Sequence, residues 1–129
     1  MIVVDASAVL DGLLDAADHP QVALALSGAT DPLAAPDLLD VEVLSVLRRW
    51  EQRGEVTSAR ARLAFDDLEA LPVVRYSSRA LANVAWSMRK TLTAYDAQYV
   101  ALAKLLPGRL LTTDLRMAKA ARQLKVVVA

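Results

Sequence analysis

Four acidic residues in this chain stand where chemistry is commonly done: Asp5, Glu42, Asp96 and Asp114. Asp5 ends the apolar run Ile2-Val-Val and opens Asp5-Ala-Ser7, an Asp-x-Ser ahead of a helical segment. Asp114 follows Arg109-Leu-Leu-Thr-Thr113 in the same way, and Asp96 closes Thr93-Ala-Tyr-Asp96. Glu42 lies in a helical stretch, with Leu38, Leu39, Ser45 and Val46 one turn away. Two tasks suit acids so placed. They can cap helices, because a carboxylate accepts from the unsatisfied N–H groups of a first turn. They can also hold a divalent cation together.

Taken singly, each acid favours the capping task or leaves it open. Asp5 and Asp114 occupy good N-cap positions. Thr93 and Asp96 match the Ser/Thr-x-x-Asp/Glu capping box. Glu42 differs. Asp37 is the natural N-cap of its helix and Asp40 takes the capping-box position, so Glu42 is not needed there. A carboxylate on a largely apolar stretch requires a partner, a cation or a raised pKa, unless it reaches water at the edge. The case for a cation is collective. Acids gathered at one edge repel each other, and a cation relieves that repulsion. With oxygen donors only, the set suits Mg²⁺ or Mn²⁺ rather than zinc. Such ions activate water and stabilise a leaving oxygen in phosphodiester hydrolysis.

Other chemistries have little support. The only histidine, His19, sits between Asp18 and Pro20 in an expected exposed turn, with nothing nearby to complete a triad. There is no cysteine, hence no thiolate site or disulfide framework. No Gly-x-Gly-x-x-Gly or Walker motif occurs. Trp50, Trp86, Tyr95 and Tyr99 stand at helical spacing beside Leu, Val and Ala, which predicts core packing over base stacking for each.

The elements that must position the acids are short strands alternating with helices. Apolar runs at Ile2–Val4, Leu33–Ala35, Val73–Arg75 and Arg109–Thr112 predict strands, with Val126–Val128 a candidate fifth. Helical spacing covers Ser7–Ala17, Pro20–Ser27, Leu38–Arg53 (ended by Gly54), Thr57–Leu71, Ser78–Lys90, Ala94–Leu106 and Leu115–Leu124. This alternation predicts an α/β fold with a parallel sheet covered on both faces. In such sheets the working site lies beyond the carboxyl ends of the strands, where Asp5 and Asp114 are expected.

A chain of 129 residues predicts one domain, residues 1–129, with a real core. The longest stretch free of charge, His19–Thr30, is too short to span a bilayer, and Asp5 interrupts any apolar leader at once. No membrane association and a cytoplasmic location are therefore expected. Formal net charge is zero, but it is unevenly spread. Residues 1–69 hold 13 acids and 5 bases, whereas residues 70–129 hold 2 acids and 10 bases. The two halves could neutralise each other across the fold. Alternatively, the basic half could meet a phosphate backbone.

Together these blocks resemble the PIN-domain family, and within it the VapC-type ribonuclease toxins of bacterial toxin–antitoxin pairs. The resemblance runs through Ile2-Val-Val-Asp5-Ala-Ser7-Ala-Val-Leu10, then Ala35-Pro-Asp-Leu-Leu-Asp-Val-Glu42-Val-Leu-Ser-Val-Leu-Arg-Arg49. It continues in Thr93-Ala-Tyr-Asp96-Ala-Gln-Tyr-Val-Ala-Leu-Ala103 and Leu110-Leu-Thr-Thr-Asp114. It implies a three-layer α/β/α sandwich with a short central parallel sheet of four to five strands. It implies that Asp5, Glu42, Asp96 and Asp114 form a catalytic acidic quartet binding Mg²⁺ or Mn²⁺, supported by the hydroxyls of Ser7 and Thr112. Some relatives carry a further Asp or Asn after the last acid. Leu115-Arg-Met117 has none, so one tightly held ion, with another arriving alongside the phosphate, fits better. The resemblance further implies an endoribonuclease, often a homodimer, silenced by a VapB-type antitoxin that wraps it, with helices 38–53 and 57–71 helping to form the groove. Arg116 and Lys119 are candidates to attract the RNA strand. The competing expectations are a non-catalytic PIN-like binding module whose acids are only helix caps, and, last, a phosphatase or receiver-type domain. The latter would need paired acids after the first strand, which are missing.

Overall fold

The computed structural model describes residues 1–129. Five short strands, β1 (Ile2–Val4), β2 (Leu33–Pro36), β3 (Val73–Tyr76), β4 (Arg109–Leu111) and β5 (Val127–Val128), form one sheet in the order β3-β2-β1-β4-β5. Every pairing is parallel. β1 is central, with Val3 opposite Ala34 on one side and Leu110 on the other. Its three residues are all buried, which explains an unbroken apolar run instead of an alternating one.

Parallel strands need crossover helices. α1 (Ala6–Leu14) and α2 (Pro20–Leu26) link β1 to β2; α3 (Leu39–Gln52) and α4 (Ser58–Ala70) link β2 to β3. α5 (Ala82–Ser87) and α6 (Ala94–Leu105) link β3 to β4, and α7 (Leu115–Gln123) links β4 to β5. The chain moves outward from β1 to β3, then jumps back to β4 on the far side. Right-handed crossovers therefore put α1–α4 on one face and α5–α7 on the other. Packing agrees: α1 touches α2, α3 and α4, while α6 lies on β1, β2 and β4 with α5 alongside. The result is the three-layer α/β/α arrangement expected from the sequence, with five strands. α6 buries Ala97, Tyr99, Val100, Ala101, Leu102 and Ala103, and its small alanines let it sit close to the sheet. α3 is closed by Gly54, whose φ of +73° is the left-handed cap that only glycine adopts at no steric cost.

Several expectations need correction. The helix expected over Ser78–Lys90 is broken into a 3-10 turn, Arg79–Leu81, and the short α5. Long-range bonds pin its start: the Ser78 amide and hydroxyl both donate to Asp37 Oδ1, at 3.1 and 2.5 Å. Near its end the Ser87 hydroxyl donates to the Val84 carbonyl, a back-bond that competes with helix continuation. Asp37 is thereby drawn away from capping, and α3 starts at Leu39, after Leu38 in the N-cap position, with no side-chain cap. Asp40 does not close a capping box either. It takes a two-pronged bond from Arg75 on β3, at 2.7 and 2.8 Å, tying α3 to the sheet. Only two of the four aromatics behave as expected. Tyr99 is buried and Trp50 packs against the core, but Trp86 and Tyr95 are 68% and 65% exposed. The expected first helix also stops three residues early, at Leu14.

Since α6 carries Asp96 and anchors on the central strands, its packing should govern overall stability. Leu102→Ala, at a 1% exposed site, is expected to lower the unfolding free energy by about 2–5 kcal/mol in a urea titration. Leu115→Ala, at a site 84% exposed, is expected to change it by less than about 0.5 kcal/mol.

Candidate active site at the carboxyl edge of the sheet

The strand order reverses between β1 and β4, and the crevice beyond their carboxyl ends is where α/β sheets bind ligands. Asp5 leaves β1 at this point and caps α1. Its Oδ1 accepts from the Ala8 amide at 2.9 Å and the Ser7 hydroxyl at 2.8 Å, and its Oδ2 from the Thr112 hydroxyl at 2.5 Å. Thr112 lies just past β4, so these bonds lock the two strand ends together. The Thr113 amide donates to Ser7 Oγ and the Asp114 amide to Thr112 Oγ1, which extends the lock along the chain.

Asp5 is the one charged residue in the buried set, 4% exposed. Burial pushes its pKa up to about 6, against the three hydrogen bonds that favour the carboxylate; the charge of Asp96 adds to the rise.

Glu42 is half-buried in the first turn of α3, and the Tyr99 hydroxyl of α6 donates to its Oε1 at 2.6 Å. Burial raises its pKa, and the charges of Asp96 and Asp5 raise it further. Tyr99 is itself pushed upward by burial and by Glu42, so it remains a protonated donor. Asp96 is half-buried in the first turn of α6, with its pKa raised by burial and by Asp114, and opposed by Thr93 and Arg116. Asp114 caps α7, where its Oδ1 accepts from the Arg116 and Met117 amides at 2.9 and 3.3 Å.

The capping question thus divides the acids. Asp5 and Asp114 are genuine N-caps. Asp96 is not: the Thr93 hydroxyl caps α6 by accepting from the Asp96 amide, and no amide in that turn is held by the Asp96 carboxylate. Glu42 caps nothing and pairs with Tyr99. No three acids or histidines already stand at the spacing of a closed metal cage. They are instead an electrostatically linked row, Asp5 with Glu42 and Asp96, and Asp96 with Asp114.

Of the basic candidates, Arg116 is 92% exposed with its Nε 3.9 Å from Asp114, and Lys119 is exposed on the next turn of α7. His19 stays away, facing Asp11 and Asp15 at 3.8 and 3.7 Å. The residue missed from sequence is Tyr99. Two signals pointed to it: it stands three residues after Asp96, hence on the same helix face, and Glu42 lacked a partner.

A family model of the PIN domain matches residues 2–123. The chain belongs to the PIN-domain family. It is 42% identical to ribonuclease VapC9 of Mycobacterium tuberculosis over 118 residues, covering 92% of this chain and 89% of that protein. It is 41% identical to ribonuclease VapC3 of the same organism over 119 residues, covering 92% and 86%. The crystal structure of PAE2754 from Pyrobaculum aerophilum superposes with a TM-score of 0.66 at 23% identity, covering 92% of this chain and 84% of that one. That likeness speaks for the PIN fold alone. No helix of the protein is long and apolar enough to cross a membrane.

In this PIN domain the cost of burying Asp5 should be visible in stability. An acid whose pKa is raised on folding binds its proton more readily in the folded state. Its contribution is therefore present at low pH and lost as pH rises from 3.8 toward about 6. The two-unit rise corresponds to a loss on the order of 3 kcal/mol. In metal-free buffer the wild type should lose at least that much across this window, and Asp5→Asn, which keeps only the raised Glu42 and Asp96, distinctly less, as read by denaturant midpoints at pH 4 and pH 7.

Proposed function

We propose that this chain is a metal-dependent endoribonuclease, the toxin of a VapBC-type pair, acting in the cytoplasm and silenced by a VapB-type antitoxin. The relatives that match over nine-tenths of the chain are named ribonucleases of the VapC kind. The observation that carries the reading is the pair of half-buried carboxylates, Glu42 and Asp96, that cap no helix yet lie near enough to the buried Asp5 for the charges to interact.

The donor set fits a hard divalent cation. It offers only oxygens, and burial, with mutual repulsion added to it, raises three of the four pKa values, a stress that a cation relieves. Asp5, Asp96 and Asp114 would be the main ligands, with Glu42 binding directly or through water. The bound ion would supply a more acidic water and charge stabilisation at the scissile phosphate.

The chain's own groups then have distinct tasks. Ser7 and Thr112 orient the Asp5 carboxylate. Tyr99 fixes Glu42, whose other oxygen is left to orient the attacking water. Arg116 and Lys119 draw the strand toward the acids. Capping and ligation are compatible at Asp114, because only Oδ1 takes the cap bonds.

Asp96→Asn and Glu42→Gln should each reduce cleavage of single-stranded RNA by more than about 100-fold, given that metal activation is worth several kcal/mol. Their melting temperatures should stay close to that of the wild type, because neither carboxylate caps a helix. Chelation with EDTA should abolish cleavage, with Mg²⁺ or Mn²⁺ restoring it. Undiminished cleavage by Asp96→Asn would defeat the assignment. A protein that shows no metal response in thermal melts, and whose acid-to-amide variants all unfold, would be the binding module instead.

A further inference from the structure

Beside the carboxylates, past Thr93, lies a second hollow of about 400 Å³. Trp86 and Arg89 form one wall, Leu92 and Thr93 another, and Gln98 of α6 also lines it. It joins the candidate site directly, because Leu92 and Thr93 also line the cleft that holds Asp96 and Arg116.

Three features of this hollow are unexplained by folding. First, the indole of Trp86 is 68% exposed, although its neighbour Ala85 is buried. The Arg89 guanidinium lies 4.5 Å from the ring centroid, and its Nη1 donates to the Trp86 carbonyl at 3.1 Å. The cation is thus fixed as a backing to one face of the ring. Second, Gln98 donates its Nε2 to the Ser78 carbonyl at 3.1 Å, but its buried Oε1 has no hydrogen-bond partner. Buried polar atoms are nearly always satisfied, so this acceptor needs a reason. Third, the segment 77–95 that supplies most of the lining contains Arg79, Arg89 and Lys90 but no acid; Arg89 lines the hollow, and none of the three makes an ion pair.

We propose that this hollow is a nucleobase subsite, which receives an unstacked base of the RNA strand whose phosphate lies at the carboxylates. The inference rests on the ribonuclease reading above and adds to it a specificity-determining element. The base stacks on the open indole, as bases do on exposed aromatics in single-strand binding proteins. The unpartnered Oε1 of Gln98, a residue lining the hollow, is the acceptor for a base N–H, an edge contact that distinguishes bases by where they carry donors. Arg89 and Lys90 hold the adjoining phosphates.

The test uses a short mixed-sequence single-stranded RNA, fluorescein-labelled, with Asp96→Asn as the uncleaving parent. Adding Trp86→Ala should weaken binding about fivefold or more, the low end for one stacked base. Trp86→Phe should retain most of the affinity, and binding of a fully paired duplex of the same sequence should not change. RNA should quench tryptophan emission in the parent but not in the Trp86→Phe form. In the otherwise wild-type enzyme, Trp86→Ala should raise KM for the single strand and leave kcat nearly unchanged. Equal affinity of the Trp86→Ala form and its parent, with no quenching, would overturn the subsite. So would loss of self-association in Trp86→Ala with unchanged RNA affinity, which would assign the indole to contact with a second copy. If the wild type cleaves RNA and Trp86→Ala makes no difference, only this inference fails. If the wild type neither binds nor cleaves RNA, the ribonuclease reading fails and takes the subsite with it.

Discussion

Three hydrogen-bond donors from two distant chain segments converge on the Asp5 carboxylate, and the arrangement of the site follows from that convergence. The Thr112 hydroxyl arrives from the end of β4, while the Ser7 hydroxyl and Ala8 amide come from the start of α1. Without Asp5, the ends of β1 and β4 would keep, beyond their backbone ladder, only the contacts of the Ser7 hydroxyl with Thr112 and the Thr113 amide, and Asp114 would be less firmly fixed relative to the other acids. Yet the bonds do not win outright. Desolvation outweighs them and leaves the pKa near 6. A purely structural cap has no need of this. Helix α7 is capped equally well by Asp114 in a more exposed setting, with two amide bonds. Burying an acid beyond what its hydrogen bonds offset is the local conflict that natural sequences retain where a ligand completes the site.

A parallel sheet explains why the other acids gather there. Every crossover helix that follows a strand in such a sheet begins near the carboxyl edge. α1, α3 and α7 start there directly, and α6 runs back over the sheet from the same edge to reach β4. Asp5, Glu42, Asp96 and Asp114 all lie at N-caps or in first turns. The partial positive charge of those helix ends moderates carboxylate repulsion and also suits an incoming phosphate. Topology therefore gathers both the acids and the dipoles that make the gathering tolerable.

The strands and the acids were legible in the sequence because each depends on local pattern. Buried strands of three or four apolar residues, ended by an acid and a helix start, leave little choice of structure. Asp37 and Asp40 were misread for the opposite reason. Capping rules weigh partners within a few residues, whereas Ser78 and Arg75 lie 41 and 35 residues away and supply stronger partners. The same long-range bond to Ser78 shortened the helix expected over Ser78–Lys90. Trp86 and Tyr95 were misjudged because helical spacing alone does not say which face of a helix meets solvent. α5 is too short to bury a full apolar stripe.

The charge asymmetry raised two possibilities, internal neutralisation or attraction of a polyanion, and the ion pairs bear on both. Side-chain ion pairs between the two halves are few: Arg75 with Asp40, and Arg109 with Asp31. Arg79, Arg89, Lys90 and Lys119 form no ion pair, and Arg116 meets only Asp114 at 3.9 Å. Two of these cations, Arg89 after α5 and Arg116 on α7, line the clefts around Asp96. At physiological salt, charges more than about 8 Å apart are largely screened, so acids elsewhere on the surface do not cancel them. A band of free cations around a row of partly buried carboxylates is unfavourable for binding free anions deep in the site. On the proposed reading, an extended polyanion would meet the cations first and bring one phosphate to the acids. That division of charge also accounts for why the acidic half contributes Asp5 and Glu42 while the basic half retains only two acids, Asp96 and Asp114, both at the site.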